Sequence, residues 1–443
     1  MKKRLLKLFV VFFLLSAVLI SVVFLHHKQS NLEVSEPIYP MLYQNKAHRG
    51  ESPYSGPENS KLNEVYSIQY PKSCNCFGNI RCLVMGKDGT MYVVEERRFY
   101  GKGIIKGILY AVTQKGILKW TFTSDEEINY VVVGREKTIY LTTAHSYSDT
   151  SIEGLLYALN LNGKVMWKFS IPLIPTFITV DENETIYVTS ANELSTFGPD
   201  GHLKWTYAME GKGENPGMIE GAPAISNDGT IYTTSCGYLY AFFPDGKLKW
   251  SERKYAMSGT PVIGNDGTIY VSGAGDIGPC IFAYSPDGNF KWKYCIDAYI
   301  STPSVSRDNT IYLLIEKITS RNKNNEITKT ESYLIALNPN GTLKWQFRSN
   351  GFDEGNLYSQ QPIIDKNSVI YFSADYPKSI VAVNSDGTLK WKIDNPSPSG
   401  SYLFGPHLID NNERLYFSFS SGISGDLPSD IASEVVICTI GEK

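Results

Sequence analysis

The decapeptide Ala241-Phe242-Phe243-Pro244-Asp245-Gly246-Lys247-Leu248-Lys249-Trp250 recurs, with variations, seven times, and it constrains the fold more than any other stretch. All seven tryptophans close one copy each: Trp120, Trp167, Trp205, Trp250, Trp292, Trp345 and Trp391. An Xaa-Gly dipeptide precedes every one, as in Asp245-Gly246, Asp287-Gly288 and Asn340-Gly341. Between apolar runs such a dipeptide is a hairpin signal, read here as a two-residue type I′ turn. Folding each copy about its turn sets the Trp opposite a small residue: Ala111, Ala158, Thr196, Ala241, Ala283, Ala336 and Ala382. An indole facing a small side chain in every copy predicts one packing socket, used repeatedly.

A second phrase alternates with the first. Ser226-Asn227-Asp228-Gly229-Thr230-Ile231-Tyr232 returns as a polar turn followed by an apolar run holding Tyr92, Tyr140, Tyr187, Tyr232, Tyr270, Tyr312, Tyr371 or Tyr416. Most copies follow a strand that opens on proline: Pro223, Pro261, Pro303, Pro362 and Pro406. One unit is therefore a four-stranded antiparallel meander. Successive tryptophans lie 47, 38, 45, 42, 53 and 46 residues apart. Four strands at about 40–45 residues per unit is the signature of a propeller blade. Eight Tyr phrases stand against seven Trp hairpins, so the last unit, ending near Ser433–Cys438, lacks its outer strand. The extended-looking stretch Glu64–Tyr70 is expected to supply it, closing an all-β ring of eight blades and removing the exposed sheet edge.

These repeats resemble the pyrroloquinoline-quinone-type (quinoprotein alcohol dehydrogenase-like) β-propeller family, whose blade hairpin reads Tyr-Ala, an acidic or Asn-Gly turn, then Lys and Trp. Leu239-Tyr240-Ala241 through Trp250 and Leu156-Tyr157-Ala158 through Trp167 carry that pattern, and the resemblance spans roughly residues 63–443. It implies the fold. For function it implies either a quinone-dependent enzyme or a non-catalytic scaffold.

Upstream of the ring, Lys2, Lys3, Arg4 and Lys7 precede the uncharged run Leu8 to Leu25, long enough to span a bilayer. The basic flank places residues 1–7 in the cytoplasm and everything after residue 25 outside. The run is expected to be an uncleaved transmembrane signal anchor at 8–25, or, if cleaved, a secretion signal. Residues 26–62 are polar with scattered proline, and read as a flexible stalk before a propeller at 63–443. With 42 basic and 45 acidic residues there is no basic surplus for nucleic acid.

Seven cysteines occur, and outside the cell pairing is allowed. The hairpin about Asp287-Gly288 sets Cys280 across from Cys295, a candidate cross-strand disulfide. A two-residue hairpin would make that a wide, hydrogen-bonded pair, which argues for free thiols instead. The lysines before most tryptophans (Lys119, Lys204, Lys249, Lys291, Lys344 and Lys390) read as solvated edge residues that discourage strand addition.

Enzyme chemistry is weakly signalled. The family's quinone enzymes use an adjacent Cys-Cys disulfide, which this sequence lacks, so no cofactor is expected. Gly-x-Ser-x-Gly is missing. Paired carboxylates would have to come from the long connections, among them Glu210, Glu214, Glu220, Asp353 and Glu354. Those connections, at 144–153, 210–220, 317–331, 349–361, 395–405 and 420–433, vary while the strands stay regular. Beside them Glu220, Thr260, Thr302, Gln361 and His407 open the innermost strands and are candidate channel-mouth residues. Variable loops on a rigid ring suit a docking surface. The expectation is a non-catalytic extracytoplasmic scaffold presenting loops to a protein or cell-envelope glycan; the alternative is an envelope carbohydrate-active enzyme using acids at the channel mouth.

Overall fold

A computed structural model describes residues 45–71, 76–99, 104–144, 154–171, 174–190, 193–209, 221–257, 259–275, 278–322, 327–349, 361–375, 378–394, 401–421 and 431–441. They form eight four-stranded antiparallel blades. Blades I to VII follow in order at 76–124, 127–171, 175–208, 224–257, 262–295, 298–348 and 363–394, and blade VIII combines 401–421 and 431–440 with 62–71. The closing strand Leu62–Pro71 pairs antiparallel with Ile431–Ile440, Ser67 opposite Val436 and Ile68 opposite Val435. The ring thus closes where the sequence places its seam. In blade VI the innermost strand is split into Ala298–Ile300 and Ser304–Val305 around Pro303. The expected transmembrane run at 8–25 and the basic tail at 1–7 lie outside the described residues; within the described residues no helix is long and apolar enough to cross a membrane.

Every Trp faces the small residue expected of it, from Ala111↔Trp120 to Ala382↔Trp391. Together with the phrase tyrosines they form a row across three strands, such as Tyr232↔Ala241↔Trp250, with the two rings 5.8 Å apart. The turn type differs from expectation. Phe243 N–H donates to the Lys247 carbonyl and Gly246 N–H to the Phe243 carbonyl, and of the turn residues only Gly246 has positive φ, at 85°. This is a three-residue loop ending in a left-handed glycine, followed by a bulge at Lys249 where the register shifts. The bulge restores the pairing that a two-residue turn would give, which is why the register was legible although the turn was not.

The glycine does more than turn the chain. A Cβ on Gly288 would sit 2.9 Å from Cδ2 of Trp250 in the preceding blade, closer than real Cβ atoms approach. The same holds for Gly163, Gly201, Gly246, Gly341 and Gly387 against the preceding blade's indole. Each indole N–H then donates to a carbonyl of that next turn, Trp250 to Pro286 at 2.9 Å and Trp292 to Pro339 at 2.8 Å. The socket therefore joins neighbouring blades through aromatic stacking on bare backbone plus one directed hydrogen bond. The indoles stay half-buried while the row tyrosines are fully buried. At the VIII–I junction, which has no Trp, the backbone of Val65 occupies the place over Gly116, at the bulge between Glu64 and Tyr66.

Eight apolar clusters fill the eight junctions, each built from strands of two adjacent blades, as with Val84, Tyr92 and Leu109 against Val131, Ile139 and Leu141. Core therefore grows with blade number.

A disulfide joins Cys280 to Cys295, whose Cα atoms are 4.1 Å apart. That is the spacing of a narrow pair; the bulge offsets the alternation of wide and narrow pairs by one relative to a two-residue hairpin.

Candidate functional site

In an antiparallel meander the polar turns leave from one end of the ring and the long connections from the other. The two ends are built differently, and the N-terminal segment accounts for most of the difference. Expected to be stalk as far as residue 62, the chain from Asn45 onward instead lies against the inner strands at the turn end. Backbone N–H groups of Ile225, Ile263, Val305 and Ile364, one each from blades IV to VII, donate to the carbonyls of Lys46, Ala47, Arg49 and Gly50 at 2.7 to 2.9 Å. Ser52 N–H returns a bond to the Ile364 carbonyl at 2.6 Å, and Glu51 bridges Ile364 in parallel. Lys366 N–H then reaches the Tyr54 carbonyl at 2.9 Å, and Gly56 N–H reaches Asp365 Oδ2 at 2.7 Å. Trp391 has no following hairpin to bond; its N–H finds the Pro57 carbonyl at 3.1 Å, while Lys390 pairs with Glu58 at 3.0 Å. Residues 57–61 thus stand in for the missing hairpin turn of blade VIII. A free stalk would have left four inner-strand amides without these partners.

His48 of this strap is buried, 1% exposed. Its Nδ1 lies 3.3 Å from the Pro261 carbonyl in blade V and its Nε2 3.5 Å from Thr179 Oγ1 in blade III. Burial pulls its pKa down to about 3, against the smaller opposing pull of the Pro261 carbonyl, so the ring holds the imidazole neutral.

The expected channel-mouth residues differ in what they bond. Thr260 is buried and its hydroxyl accepts from Ala222 N–H of the neighbouring blade at 3.1 Å. Gln361 donates to the carbonyls of Pro303 and His48, both at 2.8 Å. These two stitch inner strands together. Thr302 is buried beside them, its carbonyl taking the Ser301 hydroxyl at 3.0 Å. His407 Nε2 lies 2.8 Å from Ser418 Oγ, and burial lowers its pKa to about 4. Ser418 is 0% exposed, so this Ser–His pair offers no nucleophile to a substrate. Glu220 lies outside the described residues, as do Glu210, Glu214, Asp353 and Glu354. Among the described residues no group of three His, Cys, Asp or Glu side chains is placed to hold a metal.

Two features escaped the sequence reading. The lysines before the tryptophans are not edge decoration: Lys119, Lys204, Lys291 and Lys344 reach across their own blade to Thr90, Thr185, Thr268 and Thr310 of the inner turn, at 2.7 to 3.1 Å. In blade V this couples Lys291 to Asp266. Partial burial pushes the Asp266 carboxyl up, but the Thr268 hydrogen bonds and the Lys291 charge outweigh it and hold it below its ordinary value. The second feature is an ionic cluster at the loop end of blade I. Glu95, 0% exposed, takes a two-point bond from Arg97 at 2.9 and 3.0 Å, and Arg97 also reaches the Tyr110 hydroxyl at 2.8 Å. On the opposite face of the same strand Glu96 holds Arg81 and Arg98, and Arg81 continues to Glu127 of blade II at 2.9 Å. The run Glu95-Glu96-Arg97-Arg98 inside an apolar strand was the available signal. Its paired charges fix the ends of blades I and II.

At the same end, residues 317–321 and 327–331 of the stretch read as a loop are instead strand, the outer part of the longest hairpin among the described residues, Ile311–Arg321 with Ile327–Leu337. Thr319, Ser320 and Arg321 are exposed on it.

Residues 105–313 match the family model described as outer membrane protein assembly factor BamB. Over that stretch, just under half of the chain, its repeats are similar to those of the PQQ-type, BamB-like propellers. Among solved structures it is similar to Sqt1 of Saccharomyces cerevisiae, at 9% identity over 86% of this chain and 100% of that one, with a TM-score of 0.53. Virginiamycin B lyase from Staphylococcus aureus aligns at 12% identity over 73% of this chain and 98% of that one, with a TM-score of 0.45. Identities this low speak to the fold alone. No curated protein matches the sequence.

Proposed function

We propose that this propeller is a non-catalytic, membrane-anchored scaffold on the extracytoplasmic side of the membrane, taking a protein partner or envelope glycan at its loop end. The observation that carries this reading is the asymmetry of the ring. The turn end is occupied by the chain's own strap across blades IV to VII. That leaves the end with the long connections and the projecting hairpin of blade VI for a partner. The Cys280–Cys295 disulfide supports an oxidising compartment, and the basic-then-apolar N-terminus supports export and anchoring. The matching family is described as an assembly factor, which favours a protein partner over a glycan.

The test is site-specific photo-crosslinking in cells. A crosslinker at Thr319 on the loop-end hairpin is expected to capture a discrete partner, and one at exposed Lys247 on the turn end is expected to capture none. Adducts from Lys247 alone would reverse the orientation. Sugar release from envelope polysaccharide by the purified protein would replace the scaffold with an enzyme.

A further inference from the structure

We infer that the turn end of the ring is a sequence-specific binding site for an extended peptide, filled in this chain by its own residues 45–58. The site has the features by which proteins read extended segments: a ladder of main-chain bonds for affinity and side-chain slots for selectivity. Four inner strands each present one N–H to the strap, and consecutive or near-consecutive strap carbonyls take all four.

Selectivity comes from both ends of the size range. His48 fills a closed slot between Pro261 and Thr179. Arg49 Nε donates to the Ile263 carbonyl at 3.1 Å and its guanidinium bonds the Asn265 side chain. Lys46 meets Glu182 at 2.8 Å, and Glu51 meets Arg307 at 3.3 Å. Gly50 is tight in the opposite sense: its φ is 67°, and a Cβ there would lie 2.9 Å from the Pro362 carbonyl and press on Ser304. Gly56 likewise lies against the Tyr371 ring with no space for a side chain. The segment read is therefore basic–Ala–His–Arg–Gly–acidic–Ser, with a second glycine six residues after the first. The ring groups that hydrogen-bond it lie 131 residues or more further along the chain, so the strap is held as a ligand is held, by contacts distant in sequence. Its link to the ring is the short exposed stretch Asn59-Ser60.

The experiment keeps the full chain and cuts it there. A protease recognition sequence is inserted between Asn59 and Ser60, the folded protein is cleaved, and a fluorescein-labelled synthetic peptide of residues 45–58 is added and followed by anisotropy. Saturable uptake by the cleaved protein but not by the uncut protein is expected. Peptides carrying His48→Ala or Gly50→Ala should bind about tenfold or more weakly, the scale of one lost buried polar contact or one forced clash. Failure of the labelled peptide to enter, with the original fragment retained or lost, would overturn the inference. Loss of the near-ultraviolet dichroism on cleavage would overturn it equally, since the strap would then be an integral part of the fold and not the occupant of a site.

Discussion

Replacing Gly288 by alanine probes the junction between blades IV and V at its tightest point. Two costs add there. Its φ of 82° is a left-handed conformation that alanine resists by roughly 1–2 kcal/mol, partly offset by the stiffer unfolded chain, for a net of about 1 kcal/mol. The new methyl would also lie 2.9 Å from Cδ2 and 3.1 Å from Cε2 of Trp250. That indole cannot slide freely, because its N–H is bonded to Pro286 at 2.9 Å and its ring packs beside Tyr232. Displacing it adds about 1–3 kcal/mol of overpacking and weakens one hydrogen bond. We expect Gly288→Ala to cost about 3 kcal/mol. Gly267 of the same blade is the control: its φ is 78°, but a methyl there would meet only Pro286 Cγ at 3.1 Å. Gly267→Ala should therefore cost about 1 kcal/mol. Urea unfolding followed by far-ultraviolet dichroism measures both. In the background of Trp250→Ala the cost of Gly288→Ala should fall to that of the control. Equal costs for the two glycines, or no coupling to Trp250, would refute the idea that indoles on bare backbone join the blades.

Three further outcomes follow from the same geometry. Lys137 is exposed with φ 68°, at a turn position that blades I, IV and V fill with Gly89, Gly229 and Gly267; Lys137→Gly should stabilise the protein by about 1 kcal/mol in the same urea titration. Reducing the disulfide, or the paired Cys280→Ser and Cys295→Ser variant, opens a loop of sequence separation 15 and should cost about 3 kcal/mol on the chain-entropy account, read as a lower unfolding midpoint. The third concerns pH: burial pulls the His48 pKa to about 3, so below about 6.5 the unfolded chain takes up a proton that the native strap refuses. Stability should fall as pH drops from about 6.5 toward 3, by about 1.4 kcal/mol per unit from this residue, and His48→Gln should flatten that part of the profile.

The ring was legible in the sequence because its determinants are local and repeated. A Trp four residues after a turn glycine, and an Ala five before that glycine, fix strand, register and period together, and eight Tyr phrases against seven Trp hairpins fix both blade number and seam. What could not be read was whatever acts between distant copies. Lys291 looks like an edge charge until Thr268 is brought beside it, and Gly288 looks like a turn former until Trp250 settles on it. The strap was misread as stalk for a related reason. Asn45–Glu58 has no strand period of its own, since its bonds are donated one blade at a time by residues at least 120 positions away. Of the channel-mouth candidates, Thr260 and Gln361 precede the inner strands that begin at Val262 and Ile363, and their polar atoms are engaged by neighbouring strands.

The N-terminal arm, residues 45–71, covers the turn end and completes blade VIII in one continuous run. Amide hydrogen exchange on the intact protein tests this directly. Slow exchange is expected at Ile225, Ile263, Val305 and Ile364 and along Leu62–Pro71, comparable with the central strands of each blade. Exchange of those four amides and that strand at the rate of unprotected backbone, with the remaining strands still protected, would contradict it.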